Sequence, residues 1–220
     1  MASGESFEIV VADDASDDAT AEIARQAGAT VVAVNYRQIA AVRNAGAKAS
    51  RGDVLFFVDA DTSISAGHVT GALAALGEGC AGGGAYAAIE GAIPWWGPLF
   101  IRIFSAFYFK AANLGAGAFL FTTRENFRVV GGFDEQFFAG EEIYFTQALK
   151  KLGAFKLLRE PIVTSGRKLR MHSGRHILRS IFMLVVRGKK GVRTRDKLGI
   201  WYDGKRESKA RHPVTGSAPG

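Results

Sequence analysis

The sequence has very little cysteine and little proline. Its 220 residues include one cysteine, Cys80, and five prolines. A single cysteine excludes an internal disulfide, and no histidine–asparagine pattern accompanies it, so we interpret Cys80 as a small apolar side chain. The amino terminus, MASGESFEIVV, lacks the basic start and long apolar run of a signal peptide. These absences favour a reducing compartment and predict a cytoplasmic location. Peripheral binding at the cytoplasmic face of the membrane stays open as part of this prediction.

Positive charge is scarce in most of the chain and concentrated near its end. Residues 1–164 carry 13 Lys and Arg against 18 Asp and Glu, whereas residues 165–212 carry 15 against 3. Such a basic segment is expected to bind an anionic partner, and the alternative is a solvated tail without a partner. It alternates apolar with basic residues, which favours an anionic membrane surface, and no nucleic-acid motif accompanies the charge. We therefore expect a domain over 1–165, a basic amphipathic extension over 166–212 and a disordered tail over 213–220.

Apolar runs of strand length alternate with helical periodicity in the first half. The expected strands are 7–12, 30–34 and 54–59, and the expected helices are 18–28, 38–50 and one that Ser65 caps and that runs through Leu76. Repeated units of this kind predict an α/β, Rossmann-like, mostly parallel sheet flanked by helices. Ligands of such sheets bind at the carboxyl ends of the strands, where the acidic runs ADDASDD and DADT both fall.

The segment 82–121 is aromatic and almost uncharged. It holds ten of the 24 aromatic residues and three charged ones. Prolines and glycines interrupt it, and its unbroken piece, 99–112, is too short to cross a bilayer. Three alternatives stay open for 93–109: a helix at a membrane interface, a lid over an acceptor site, or a buried core helix. A helix, a glycine turn and a second helix that opens with Glu141 and Glu142 follow.

Asp59 and Asp61 end a buried strand and need a compensating positive group. A calcium-binding EF-hand is excluded, because the positions that require glycine and glutamate hold Ile64 and Thr70. Asp13, Asp14, Asp59 and Lys110 imitate a phosphate-accepting receiver domain, but the proline expected after the lysine is missing and the chain is too long. A divalent cation that holds a nucleotide diphosphate is the third interpretation.

Four motifs, in order, resemble the family 2 glycosyltransferases of the GT-A fold. They are VVADDASDDAT, AVRNAGAKASRGDVLFFVDADT, GAGAFLFTTRENFRVVGGFDE and AGEEIYFTQALKKLG. The resemblance spans about residues 7–165, with a nucleotide half at about 7–65 and an acceptor half at about 82–165. It implies a hexosyltransferase-like enzyme that moves a sugar from a nucleotide-sugar donor to an acceptor hydroxyl with inversion. The resemblance leaves the acceptor open, lipid-linked hydroxyls included.

The resemblance also implies roles for single residues. Glu142, at a position where the family usually has aspartate, becomes the catalytic base, and Asp61 becomes a ligand of Mg²⁺ or Mn²⁺, with His172 as a further ligand. The residues implied at the nucleotide are Asp13, Asp14, Arg43 and Asp59, and those implied at the acceptor are Asp134, Glu135 and Glu141. Purely structural roles stay open as alternatives. Arg43 could link a helix to the sheet, Asp134 and Glu135 could cap a turn, and His172 could be an ordinary surface residue.

One departure from the family pattern concerns the amino terminus. Family members normally begin with a further strand and helix that cup the base, and here the second strand follows Met1 almost at once. We expect a fragment of a longer chain, completion by another chain as in a homo-oligomer, or impaired activity. The alternative function is therefore an incomplete, non-catalytic GT-A-like domain that binds a membrane or a partner chain.

Overall fold

The computed structural model describes residues 6–91 and 94–165. The strands are β1 (Val10–Asp14), β2 (Thr30–Val34), β3 (Val54–Val58), β4 (Thr62–Ser63), β5 (Gly82–Glu90), β6 (Phe119–Thr123) and β7 (Phe155–Ser165). The helices are α1 (Thr20–Gln26), α2 (Ile39–Ala49), α3 (Ala66–Gly77), α4 (Gly97–Ser105), α5 (Arg124–Val129) and α6 (Glu141–Leu149), with a π-helical segment at Ala106–Ala111. The predicted extension 166–212, its His172 and the tail 213–220 lie outside the described residues.

The strands form a small parallel sheet and a larger mixed sheet. β1 and β2 pair in parallel, and the larger sheet has the order β3-β6-β5-β7-β4. Only β5 and β7 are parallel neighbours in the larger sheet, whereas its other three pairings are antiparallel. The α/β class is confirmed, but the larger sheet is mixed rather than mostly parallel. β3 and β5, which α3 connects, do run in the same direction; β6 lies between them and runs the opposite way.

Helices cover both faces of the larger sheet. Side chains alternate along its strands, so each face carries an apolar cluster of its own. Leu55 and Phe57 of β3 pack on one side with α2 and α6, in a cluster that includes Phe145. Phe119 and Phe121 of β6 pack on the other side with the alanines of α3. The carboxyl end of β3 is thereby fixed between α2 and α6, and this end carries the acidic residues of interest.

The aromatic segment is only partly buried. α4 exposes Leu99 and Ile103, whereas Phe109 of the π-helical segment is buried against Tyr86. None of the helices in the described part of the chain combines the length and the apolar character needed to cross a bilayer. A wholly buried core helix is therefore excluded, and the interface and lid alternatives remain.

Candidate active site

Arg43 ties four parts of the fold together beyond the end of β3. From α2, its Nη1 donates to Glu141 Oε1 at 2.7 Å, and its Nη2 donates to Asp59 Oδ1 at 2.9 Å and to the Gly117 carbonyl at 2.8 Å. Burial alone would lower the pKa of Arg43, but the carboxylates of Glu141, Asp59 and Glu142 outweigh burial and raise it. Arg43 is thus a fixed cation, which is the linking role that the sequence left open; its contact with a nucleotide stays a prediction.

Glu141 and Glu142 are neighbours in sequence but face different surroundings. α6 begins after Gly140, whose positive φ of 72° suits glycine. The side chain of Glu141 is 4% exposed and is paired with Arg43. That of Glu142 lines a cavity instead. Glu141, which the resemblance put at the acceptor, therefore has its Oε1 engaged by Arg43, and Glu142 is the member of the pair that is open to a ligand.

The carboxyl group of Glu142 is electrostatically unusual. Burial, and next the negative charge of Glu141, raise its pKa to about 8, although Arg43 opposes the shift. The amino-terminal dipole of α6 favours the charged form, so burial has overcome it. A carboxyl group with this pKa changes its charge near neutral pH, which suits a general base.

The cavity beside Glu142 has a volume of about 280 Å³. Its lining residues are Ala87, Ile89, Ile101, Tyr108, Phe109, Ala116, Gly117, Ala118, Glu142 and Thr164. The Tyr108 hydroxyl lies 3.2 Å from the Gly115 carbonyl and 3.5 Å from Glu142 Oε1. Burial raises the pKa of Tyr108 well above its usual value, so Tyr108 stays a neutral donor. Sequence reasoning missed Tyr108, because nothing in the aromatic run distinguishes it from its neighbours.

Asp59 and Asp61 lie in a turn that opens to solvent. The Thr62 N–H donates to the Asp59 carbonyl at 3.0 Å, and the Ser165 N–H donates to the Asp61 carbonyl at 3.3 Å, so the turn is anchored to the end of β7. Within residues 6–91 and 94–165, no three His, Cys, Asp or Glu side chains are grouped to hold a metal ion. Mg²⁺ commonly uses one or two carboxylates plus substrate phosphates, and the two aspartates fit that mode.

The predicted nucleotide ligands of the smaller sheet have local hydrogen bonds. Asp13 Oδ1 accepts from the Ser16 N–H at 3.2 Å. Asp14 Oδ1 accepts from the N–H groups of Tyr36 and Arg37 at 2.7 and 3.0 Å. Asp14 thus joins the end of β1 to the loop after β2. Their contact with a nucleoside stays a prediction.

Asp134 and Glu135 shape the turn between α5 and α6. Asp134 Oδ1 accepts from the Gln136 N–H at 2.9 Å, which is the turn-capping alternative. Glu135 Oε1 accepts from Asn44 Nδ2 at 2.9 Å, and Asn44 exchanges two further hydrogen bonds with the backbone of Phe133. These contacts hold the turn against α2, and a role of either acid at the acceptor stays a prediction.

A family model described as glycosyl transferase family 2 matches residues 2–129, which is more than half of the chain. No curated protein sequence matches the chain.

Several solved structures share the fold at low sequence identity. The mannosyltransferase PcManGT from Pyrobaculum calidifontis, in complex with GDP-Man and Mn²⁺, is 18% identical with a TM-score of 0.60, over 83% of this chain and 53% of that one. S. aureus TarS 1–349 with UDP-GlcNAc is 15% identical with a TM-score of 0.58, over 83% and 57%. Mannosyl-3-phosphoglycerate synthase from Rubrobacter xylanophilus is 23% identical with a TM-score of 0.54, over 83% and 62%. The matched part is thus 53%, 57% and 62% of the length of these three solved chains.

Proposed function

The chain belongs to glycosyl transferase family 2, and from this premise we propose that it transfers a sugar from a nucleotide-sugar donor to an acceptor hydroxyl. The observation that carries the proposal is the Glu142 carboxyl group, which has a pKa of about 8 and lines a cavity next to the fixed Arg43 cluster. Two structural neighbours are complexes with nucleotide sugars, GDP-Man and UDP-GlcNAc, which supports a donor of this class.

At the donor end, we assign the diphosphate to the turn of Asp59 and Asp61. A divalent cation there, Mg²⁺ or Mn²⁺, would neutralise the negative charge that develops on the leaving diphosphate. Asp61 is exposed and is our ligand for this cation. Asp59 keeps one oxygen on Arg43 and has the other for the cation or the ribose. Arg43 thereby fixes the direction in which the Asp59 carboxylate points.

At the acceptor end, Glu142 acts as the general base. Its ionised carboxylate takes the proton from the acceptor hydroxyl while that oxygen bonds to the anomeric carbon and the bond to the diphosphate breaks. A direct displacement of this kind inverts the anomeric centre. Glu141 cannot compete for the proton, because its carboxylate is bound to Arg43.

Titration of GDP and UDP into the full chain, with and without Mn²⁺, tests the donor end. We expect one of them to bind in the presence of Mn²⁺ and Asp61→Asn to weaken that binding at least tenfold. Asp53→Asn is the matched control, since Asp53 is an exposed carboxylate before the opposite end of β3. If neither nucleotide binds with or without metal, the proposal fails and the non-catalytic alternative replaces it.

A further inference from the structure

The cavity beside Glu142 is poor in hydrogen-bonding side chains. Among its described lining residues, the polar side chains are Glu142, Tyr108 and Thr164, and the rest of the wall is alanine, isoleucine, phenylalanine and backbone. A sugar ring carries hydroxyl groups around its edge, and each loses water on entry and needs a partner. This wall offers too few partners for that. It suits a molecule with one hydroxyl group at the end of an apolar body.

The cavity is also small. Its volume of about 280 Å³ is just below the roughly 300–1,000 Å³ of sites that enclose a drug-sized ligand. A long apolar molecule can therefore place only its hydroxyl-bearing end inside. The remainder has to lie outside, against whatever apolar surface adjoins the cavity.

α4 provides such a surface. Ile101 lines the cavity, whereas Leu99 and Ile103 are 66% and 62% exposed and lie one helical turn apart on one face. Trp95, just before the helix, is 93% exposed, and Arg102 adds an exposed positive charge. We call Trp95, Leu99 and Ile103 the outer stripe. Contiguous exposed apolar side chains mark interaction sites, and tryptophan with arginine is typical of a lipid–water interface.

We propose that the acceptor is an alcohol with an apolar body, drawn from an anionic lipid surface on which the outer stripe lies. Its hydroxyl end passes beneath α4 to Glu142, and the Tyr108 hydroxyl, beside Glu142 Oε1, orients that carboxyl group. The acceptor O–H proton goes to Glu142, its oxygen bonds to the anomeric carbon, and the nucleoside diphosphate leaves with the electrons of the broken bond. The transfer rests on the function proposed above, but the binding of the alcohol does not.

Quenching of tryptophan fluorescence by 11-bromo-1-undecanol tests the cavity without any donor. An alcohol whose hydroxyl group reaches Glu142 would extend its brominated end along α4, which Trp95 precedes in the chain, so we expect saturable quenching of the tryptophan fluorescence of the full chain. Ile101→Asp should weaken binding at least tenfold, and Ile101→Ser, a milder change, should weaken it in the same direction. Val129→Asp is the matched control, because Val129 is an exposed apolar residue that does not line the cavity. Quenching that does not saturate, or that is equal in folded Ile101 variants and the control, overturns the proposal.

Co-sedimentation with vesicles tests the source of the alcohol. We expect the chain to bind phosphatidylglycerol-containing vesicles at low salt and to bind pure phosphatidylcholine vesicles less, because anionic headgroups attract its basic residues. Leu99→Ser with Ile103→Ser should reduce binding to the anionic vesicles several-fold. Saturable binding of the bromo-alcohol without vesicle binding overturns the lipid surface and keeps the apolar acceptor. Release of nucleoside diphosphate without any binding of the bromo-alcohol overturns the acceptor class and leaves the proposed function standing.

Discussion

At the scale of single residues, Glu142 and Glu141 differ in the state of their carboxyl groups, because only Glu141 forms an ion pair with Arg43. Arg43 binds the carboxylate of Glu141, whereas burial and the charge of Glu141 hold the pKa of Glu142 at about 8. The family likeness chose Glu142 as the base and put Glu141 at the acceptor as well. It did not reveal what occupies Glu141, because Arg43 is 98 residues away along the chain.

The pH dependence of activity follows from the raised pKa of Glu142. Only the ionised form accepts a proton, and its fraction grows as pH rises through about 8. We therefore expect kcat/KM to increase from pH 6 through pH 8 and to level off about one pH unit above the pKa. Tyr108→Phe should move the rise of kcat/KM to higher pH, since the substitution removes a hydrogen-bond donor that favours the ionised carboxylate of Glu142. A rise of kcat/KM near the ordinary glutamate pKa would show that another group is the base, or that Glu142 is exposed to solvent.

Arg43 has a structural role that can be measured apart from activity. Its side chain is 11% exposed and its main acidic partner, Glu141, is 4% exposed. Arg43→Ala leaves a buried carboxylate without its cation, so the free energy of unfolding in urea should fall by roughly 3–5 kcal/mol. Arg25→Ala, at an exposed position of α1, should change it by less than about 0.5 kcal/mol. Equal effects of the two substitutions would contradict the linking role.

At the scale of elements, the sequence predicted most of the first half, although β1 lies at Val10–Asp14 rather than at 7–12 and β4 was not expected. β2 has the predicted bounds, α2 and β3 differ by one residue at their ends, and Ser65 does cap α3. The second half was harder, because β5 begins with three glycines, which are poor strand formers, and β7 contains Pro161. The proline is tolerated because it lies where the register between β5 and β7 shifts. Neither feature could be predicted without knowing which strands are neighbours.

Gly83 shows why β5 needs glycine. A Cβ at this position would lie 2.2 Å from the Lys156 carbonyl and 2.2 Å from the Phe121 ring. Gly83→Ala should therefore lower the free energy of unfolding by ~1–3 kcal/mol or more. Gly77→Ala, in α3 with open space around it, is the control and should raise that energy by about 0.5–1 kcal/mol. Urea denaturation measures both, and an equal response would mean that the contact at β5 relaxes without cost.

At the scale of the whole molecule, the described strands leave β1 with one partner. It pairs with β2, and no ladder within residues 6–91 and 94–165 joins these two strands to the larger sheet. An open edge with free backbone groups can recruit a strand of a second copy. We expect the average mass in light scattering to rise with protein concentration, and a Pro substitution at Ala12, whose N–H faces away from β2 in this register, to reduce the rise. A constant monomer mass at high concentration would contradict this.

The central claim is that Glu142 is the base of a glycosyl transfer, and turnover of the Glu142→Gln variant tests it most directly. Release of nucleoside diphosphate should be followed with Mn²⁺, the nucleotide sugar that binds and 11-bromo-1-undecanol as acceptor. Glutamine keeps the size of the side chain but cannot accept the proton, so turnover should fall by on the order of 10²–10⁴. The affinity for the nucleoside diphosphate should stay within about twofold, because Glu142 lies on the acceptor side. Full turnover in Glu142→Gln would contradict the account.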